Sequence, residues 1–250
     1  MKSFLAALQF LTVLPLPRRF TPDEQALAGA PVYFPLVGFL IGGVIALIDV
    51  PLSRLLPPSV AAVLIVILLA ACSGALHLDG LADTADGFYS SRPRERILEI
   101  MKDSRTGPMG VFALCGVLIL KTALIASTAG TWRWWVLVMA PLAGRCALLI
   151  QMGLLPYARP EGGLVSLFPS RHPRVLAGLG LIFLLAGGGF IGGWAGFAAG
   201  ACASAIALLF AAYCRRRLGG LSGDTLGAAC ELAELGPLLL AAAWFSGGRT

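Results

Sequence analysis

Seven long apolar stretches, separated by short polar segments, account for most of the chain. Each comes close to the roughly 20 apolar residues that an α-helix needs to cross a bilayer. The pattern therefore predicts an all-α, polytopic membrane protein with about seven transmembrane helices. The predicted spans are Val32–Val50, Val60–Leu78, Met109–Ala129, Trp134–Leu154, Val175–Gly193, Ala195–Tyr213 and Thr225–Phe245.

The segment before the first span predicts a helix of a different kind. It combines a basic residue with an apolar stretch, as a signal peptide does, but it lacks a small-residue cleavage site. We therefore expect an uncleaved interfacial helix within residues 1–20. Its apolar residues Phe4, Leu8 and Leu11 should be buried, with the pair Arg18–Arg19 at the lipid headgroups.

The spacing of the spans predicts a single integral-membrane domain over residues 1–250, because no sizeable domain fits between them. Residues 79–108 form the longest polar connection and are expected to be a loop that carries motifs. The glycines of Gly187–Gly189 and Gly192–Gly193 favour close helix packing and a very short hairpin between the fifth and sixth spans. No internal repeat is evident.

Composition and charge support this prediction. Hydrophobic residues make up 58% of the chain and charged residues 13%, against roughly 25% charged in soluble domains. A net charge of +6 would suggest nucleic acid as the partner of a soluble protein. Here fourteen Lys and Arg residues fall on one side of the predicted topology and three on the other. That asymmetry places the basic side and the N-terminus in the cytoplasm, with the lipid bilayer and not nucleic acid as the partner.

The most informative segment, His77–Gly87, reads HLDGLADTADG. In a helix, Asp79, Asp83 and Asp86 would share one face, where three like charges repel unless something neutralises them. A hard divalent cation such as Mg²⁺ does so and leaves positions for phosphate oxygens. The alternative is a solvated acidic helix end. His77 is either a satisfied polar residue at a span end or a catalytic residue.

Two more segments on the same predicted side could complete such a site. Residues 102–107 place Asp103 between Lys102 and Arg105, and residues 219–227 place Asp224 after a glycine turn. Cations beside metal-binding carboxylates suit a diphosphate substrate, so the segments together indicate phosphoryl transfer.

Two acidic residues also lie inside the last predicted span. Glu231 and Glu234 are costly in hydrocarbon and should face the interior of the bundle. Their expected partners are Lys121 and Arg145. A structural ion pair and a polar substrate cleft both remain open.

These motifs together resemble the cobalamin synthases, the adenosylcobinamide-GDP ribazoletransferases. The resemblance covers most of the chain in order. It rests on residues 14–20, 34–38, 77–87, 98–105, 157–159, 161–163, 218–220 and 223–228. Thr106 and Ser222 depart from the family pattern but leave the carboxylates intact.

The resemblance implies a Mg²⁺-dependent enzyme of a bacterial or archaeal inner membrane, with its site facing the cytoplasm. Members join adenosylcobinamide-GDP to α-ribazole, or to α-ribazole 5′-phosphate, and release GMP. The oligomeric state stays open, a homo-oligomer included.

Within that reaction we assign hypothetical roles to twelve side chains in three groups, with Asp86 in two of them. Metal ligands are Asp79, Asp83, Asp86 and Asp224. Catalytic candidates, including the base towards the attacking hydroxyl, are Asp86, Asp103 and His77. Candidates for substrate or phosphate binding are Lys102, Arg105, Arg159, Arg216, Ser222 and Glu231.

Two other functions share part of this pattern. A CDP-alcohol phosphotransferase uses similar chemistry, but its signature of an Ala-Arg dipeptide within a two-Asp, Gly, two-Asp pattern is not found in the sequence. A transporter would carry its charges near the membrane midplane with some repeat symmetry. The carboxylates here lie at predicted span ends, which favours the enzyme.

Overall fold

The computed structural model describes residues 1–15, 21–128, 130–159, 167–168 and 172–246. These residues form helices joined by short turns and contain no β-strand, which confirms the all-α class. A 3₁₀ turn, Ala30–Tyr33, precedes the first long helix. The α-helices are α1 Lys2–Leu11, α2 Glu24–Gly29, α3 Phe34–Leu55, α4 Pro58–Cys72, α5 Leu76–Phe88, α6 Arg94–Ile100, α7 Pro108–Ser127, α8 Thr131–Leu154, α9 Pro173–Leu218 and α10 Gly223–Ser246.

Helix α8 is the centre of the bundle. Its apolar stretch is 94% buried and packs against α3, α9 and α10. The apolar stretches of α7 and α9 are only 28% buried, and their large side chains face outwards, as Phe112, Phe190 and Leu209 do. Apolar residues on the outside of a bundle need a lipid environment, so the fold is that of a membrane protein.

In the described part of the chain, five helices are long and apolar enough to cross a membrane, or six if α4 and α5 count as one broken span. Helix α9 spans 46 residues, but its backbone is not helical at Gly192 and Gly193. At Gly193 the φ angle is 57°. A Cβ atom on Gly196 would collide with the backbone of Gly188, so the two arms run back against each other. The predicted glycine hairpin is confirmed. Because each of the two arms of α9 can cross the membrane, the number of candidate crossings in the described residues is six, or seven if α4 and α5 form one span.

The second predicted span, Val60–Leu78, is wrong at its end. Helix α4 ends at Cys72 after 15 residues, about 22 Å of rise. Gly74 and Ala75 adopt left-handed backbone conformations, and α5 continues at 90° to α4. Hydropathy missed this turn because apolar residues continue on both sides of it. Residues 79–108 are therefore not a plain loop: they include most of α5 and all of α6.

The N-terminal helix α1 packs on the protein more closely than expected. Leu11 is fully buried, and Phe4 and Leu8 are partly buried against the core. Phe10 stacks on Phe34 at the start of α3, with ring centroids 5.8 Å apart. Arg18 and Arg19 lie outside the described residues.

Candidate active site

The carboxylates gather where α5 crosses the start of α10. A Cβ atom on Gly80 would lie 2.6 Å from the backbone oxygen of Asp224, and one on Gly227 would lie 2.9 Å from that of His77. Glycine at both positions therefore lets the two helices touch. The contact leaves a cavity of about 100 Å³, lined by His77, Asp79 and Asp224 among others.

Asp83 belongs to the same group of carboxylates, because their charges act on its side chain. Its main charged neighbours are the carboxylates of Asp79, Asp224 and Asp86 and the guanidinium of Arg159. Among the described residues, acidic side chains therefore outnumber cations around Asp83. The excess negative charge would favour a bound cation.

Asp86 is already engaged within the protein. Its two oxygens accept hydrogen bonds from the backbone N–H groups of Gly107 at 2.6 Å and Gly110 at 2.8 Å. These are orphan donors in the first turn of α7, which a carboxylate satisfies well. Asp86 thus ties α5 to α7, and its role as a metal ligand or catalytic residue stays a prediction.

Asp224 is held by its own turn and by a cation. Its Oδ2 accepts a hydrogen bond from Arg159 at 2.7 Å and lies 3.3 Å from the hydroxyl of Ser222. Ser222 and Thr225 cap each other reciprocally at the start of α10: Ser222 N–H donates to Thr225 Oγ1, and Thr225 N–H donates to Ser222 Oγ. Ser222 therefore positions Asp224 and caps the helix.

The segment that carries Arg159 is fastened to the segment before α10. Tyr157 and Leu221 form an isolated parallel bridge, with hydrogen bonds from Ala158 N–H to the Leu221 carbonyl and from Leu221 N–H to the Pro156 carbonyl. This bridge fixes Arg159 beside Asp224.

Arg94 is a site residue that the sequence analysis did not identify. Its Nε donates to the Leu218 carbonyl at 2.6 Å and its Nη2 to the Ala158 carbonyl at 2.7 Å. One guanidinium on α6 therefore holds the end of α9 and the Arg159 segment together. Arg94 is one basic residue among several in residues 92–105, and nothing in one sequence distinguishes it.

The second predicted motif lies on an exposed loop. Arg105 donates to Asp103 at 2.7 Å, and the Arg105 side chain is 87% exposed. Hydrogen bonds from Arg105 hold the pKa of the Asp103 carboxyl down to about 2. A carboxylate with such a low pKa is a weak base, so the structure favours other groups for proton removal. Lys102 lies close enough to Tyr157 to interact electrostatically, and Arg216 lies exposed near the end of α9.

The acidic residues of the last span lie inside the bundle. Lys121 donates to Glu231 at 2.7 Å and to Glu234 at 2.6 Å, and Arg145 donates to Glu234 at 2.6 Å. The four side chains are each less than 10% exposed. The expected partners are confirmed, and Glu231 lies in a structural ion network and not on the face that carries Asp79 and Asp83.

His77 lies between this network and the carboxylates. It is 3% exposed and lines both the carboxylate cavity and a small cavity beside Lys121, Arg145 and Glu231. Its Nε2 has no hydrogen-bond partner among the described residues. A buried, unsatisfied ring nitrogen next to Asp79 can serve a substrate or an ordered water.

The donor set fits a hard cation of the Mg²⁺ type. No group of three or more His, Cys, Asp or Glu side chains in the described parts of the chain is arranged so that it could hold a metal ion. Mg²⁺ does not require such a group, because it binds one or two carboxylates and fills its other positions with water and phosphate oxygens. The oxygen donors of Asp79, Asp83 and Asp224 match that preference.

Comparison with known proteins gives consistent results. Residues 3–242 match the family model of cobalamin-5-phosphate synthase. A protein of Roseiflexus sp. (strain RS-1), named adenosylcobinamide-GDP ribazoletransferase, is 42% identical over 92% of this chain and 85% of its own length. Proteins of the same name from Citrobacter koseri and Desulforamulus reducens are 41% and 39% identical over 94% and 93% of the chain, covering 96% and 92% of their own lengths. No solved structure matches the chain.

Proposed function

The chain belongs to the cobalamin-5-phosphate synthase family, and from that membership we propose that it is an adenosylcobinamide-GDP ribazoletransferase. It joins adenosylcobinamide-GDP to α-ribazole, or to α-ribazole 5′-phosphate, and releases GMP. The observation that carries the proposal on this chain is the cluster of Asp79, Asp83 and Asp224 beside Arg159, at the end of the bundle where the basic segments lie.

The reaction is a phosphoryl transfer. A ribose hydroxyl of α-ribazole attacks the phosphorus that bears the cobinamide, a new P–O bond forms, and the P–O bond to GMP breaks with GMP taking the electron pair. The hydroxyl proton passes to a base. Such reactions depend mainly on positioning and on the stabilisation of charge.

Asp79, Asp83 and Asp224 form what we call the carboxylate face. The residues at this face would have different roles in the reaction. Asp79, Asp83 and Asp224 would hold Mg²⁺, which when bound neutralises charge on the diphosphate oxygens. Arg159 orients Asp224 and is placed to donate to a phosphate oxygen. The Nε2 atom of His77 has no hydrogen-bond partner among the described residues, so His77 is placed to bind substrate or water at the cavity wall.

The basic segments beside this face support a cytoplasmic orientation. Arg94, Lys102, Arg159 and Arg216 all belong to the side that the charge asymmetry assigns to the cytoplasm. The enzyme would then sit in the inner membrane and receive both substrates from the cytoplasm.

The direct test is GMP release from adenosylcobinamide-GDP by the purified protein. We expect release that requires both α-ribazole and Mg²⁺. The Asp83→Asn variant should lose at least 100-fold in kcat and need more Mg²⁺, since a neutral amide binds a hard cation weakly. Glu99→Gln is the matched control, because Glu99 is an exposed carboxylate paired with Arg96 on α6.

Two outcomes would contradict the proposal. A wild-type protein that releases GMP without α-ribazole would be a hydrolase of the diphosphate. An Asp83→Asn variant with wild-type turnover and Mg²⁺ dependence would remove the metal site.

A further inference from the structure

A groove of about 490 Å³ lies beside α5 and plays no part in the reaction proposed above. It runs between α5, α7, α9 and α10, and we call it the lateral groove. Its lining includes Thr84, Phe88, Phe112, Gly116, Tyr213 and Leu232.

The lateral groove is on the far side of α5 from the carboxylates. At 100° per residue, Thr84 and Phe88 point away from the face that carries Asp79 and Asp83. The rim is open to the outside of the bundle, since Phe112 is 72% exposed and Tyr89 is 64% exposed. In a membrane this opening faces lipid, in the leaflet that adjoins the carboxylate face.

An apolar lining alone would not make this groove a specific site. Lipid chains are as apolar as the side chains that line the groove, so a chain gains little by leaving its neighbours. A specific occupant needs polar contacts as well.

One unsatisfied polar group lines the groove, and a second lies beside it. Thr84 is 4% exposed, and its hydroxyl has no hydrogen-bond partner within the described segments. Arg217 is not part of the groove lining, but its guanidinium lies 5.9 Å from the ring centre of Phe88 and donates to the Phe88 carbonyl, and its Nε has no partner among the described residues. Buried polar atoms without a protein partner call for one, and a ligand or an ordered water can supply it.

Positive charge gathers at the same end of the groove. Arg215, Arg216 and Arg217 form the last turn of α9, directly after the groove residue Tyr213. A nucleotide substrate would have to reach around α5 to connect this groove with Asp79 and Asp83. A lipid in the surrounding leaflet reaches it directly.

We propose that the lateral groove binds one anionic phospholipid of the leaflet next to the carboxylate face. An acyl chain lies against Phe112 and Gly116, and the phosphate pairs with Arg216 and Arg217. The hydroxyl of Thr84 donates to an acyl ester oxygen.

The first test measures retained lipid and needs no turnover. The wild-type protein is purified in mild detergent with dioleoyl phosphatidylglycerol, and native mass spectrometry counts the bound lipid. A Cβ atom on Gly116 meets nothing within 4 Å, so Gly116→Leu should fill the groove without a clash. We expect one retained lipid in the wild type and at least tenfold less in Gly116→Leu.

The matched control is Gly43→Leu on α3, where a Cβ atom also meets open space. It should retain lipid as the wild type does. Thr84→Val tests the hydroxyl without changing the volume and should weaken retention about two- to tenfold. Equal retention in Gly116→Leu and wild type, or in Thr84→Val and wild type, would overturn the proposal.

The second test addresses the headgroup. Replacing phosphatidylglycerol by phosphatidylcholine should reduce retention, and Arg216→Gln should lessen that preference about fivefold. Inorganic phosphate at the same concentration should not displace the lipid. Displacement by phosphate, or a preference unchanged in Arg216→Gln, would count against a phospholipid site.

Discussion

Arg94 shows how one side chain can set the geometry of two segments at the residue scale. Its planar guanidinium donates to carbonyls of residues 158 and 218, which belong to different parts of the chain. Hydrogen bonds from a charged donor contribute about 1.5–3 kcal/mol each. Arg94 touches no reacting group, so it acts by positioning Arg159 and Asp224.

We expect Arg94→Lys to lower kcat about tenfold, because an ammonium group cannot replace the fork that bridges both carbonyls. Arg94→Ala should lose more and should regain part of its kcat when millimolar guanidinium is added. Steady-state kinetics with both substrates provide the measurement, with Arg96→Ala on the same helix as the control. Equal effects of guanidinium and sodium chloride would rule out the positioning role.

The buried ion network of Lys121, Arg145, Glu231 and Glu234 leads to a prediction about the stability of the protein. Lys121→Met leaves Glu231 without its lysine partner inside the bundle, and loss of one member of a buried pair costs about 3–5 kcal/mol. Thermal unfolding in detergent should show a clear drop in Tm. Adding Glu231→Gln to Lys121→Met should recover part of it. A double variant less stable than the single one would contradict this account.

The sequence predicted the partners of the buried charges better than it predicted the contacts of the candidate active site. Charged side chains inside an apolar span have few possible partners, so Lys121 and Arg145 could be inferred from sequence. The contacts of Asp86 and Asp103 could not be inferred in this way. Their roles depend on N–H groups of Gly107 and Gly110 and on the Arg105 side chain, and these contacts are set by folding.

At the scale of elements, the crossing of α5 and α10 determines where the carboxylates meet. The sequence placed three Asp residues on one helical face correctly, but it did not reveal where α5 starts. Hydropathy follows apolar residues, whereas the turn at Gly74 and Ala75 is a matter of backbone conformation. The glycine hairpin in α9 was predictable because close packing itself requires glycine.

Gly80→Ala tests the importance of the crossing. Alanine normally stabilises a helix by about 1 kcal/mol relative to glycine, but here its Cβ atom would lie 2.6 Å from the Asp224 backbone. The helices must move apart, and a displacement of about 1 Å can cost 100-fold in rate. We expect a large fall in kcat with little loss of folded protein by size-exclusion chromatography. Gly43→Ala should behave as wild type.

At the scale of the whole molecule, the two ends of the bundle differ in chemistry. One end carries the acidic cluster and the basic segments, and the other carries the buried pair between Arg133 and Asp49. From the charge asymmetry we propose that the first end faces the cytoplasm.

This orientation can be tested by labelling. A membrane-impermeant maleimide should label Arg54→Cys in intact cells and Arg96→Cys only after lysis, since both positions are exposed and lie at opposite ends. Labelling of Arg96→Cys in intact cells would reverse the assigned orientation.

The shortness of α4 has a consequence for the surrounding membrane. A helix of 15 residues covers about 22 Å, against about 30 Å of hydrocarbon in a typical bilayer. We expect hydrophobic mismatch of this size to draw the headgroups inwards beside α4. The acidic cluster would then lie in a dimple below the general level of the membrane surface. Turnover in nanodiscs should fall as acyl chains are lengthened, because thicker bilayers resist that deformation.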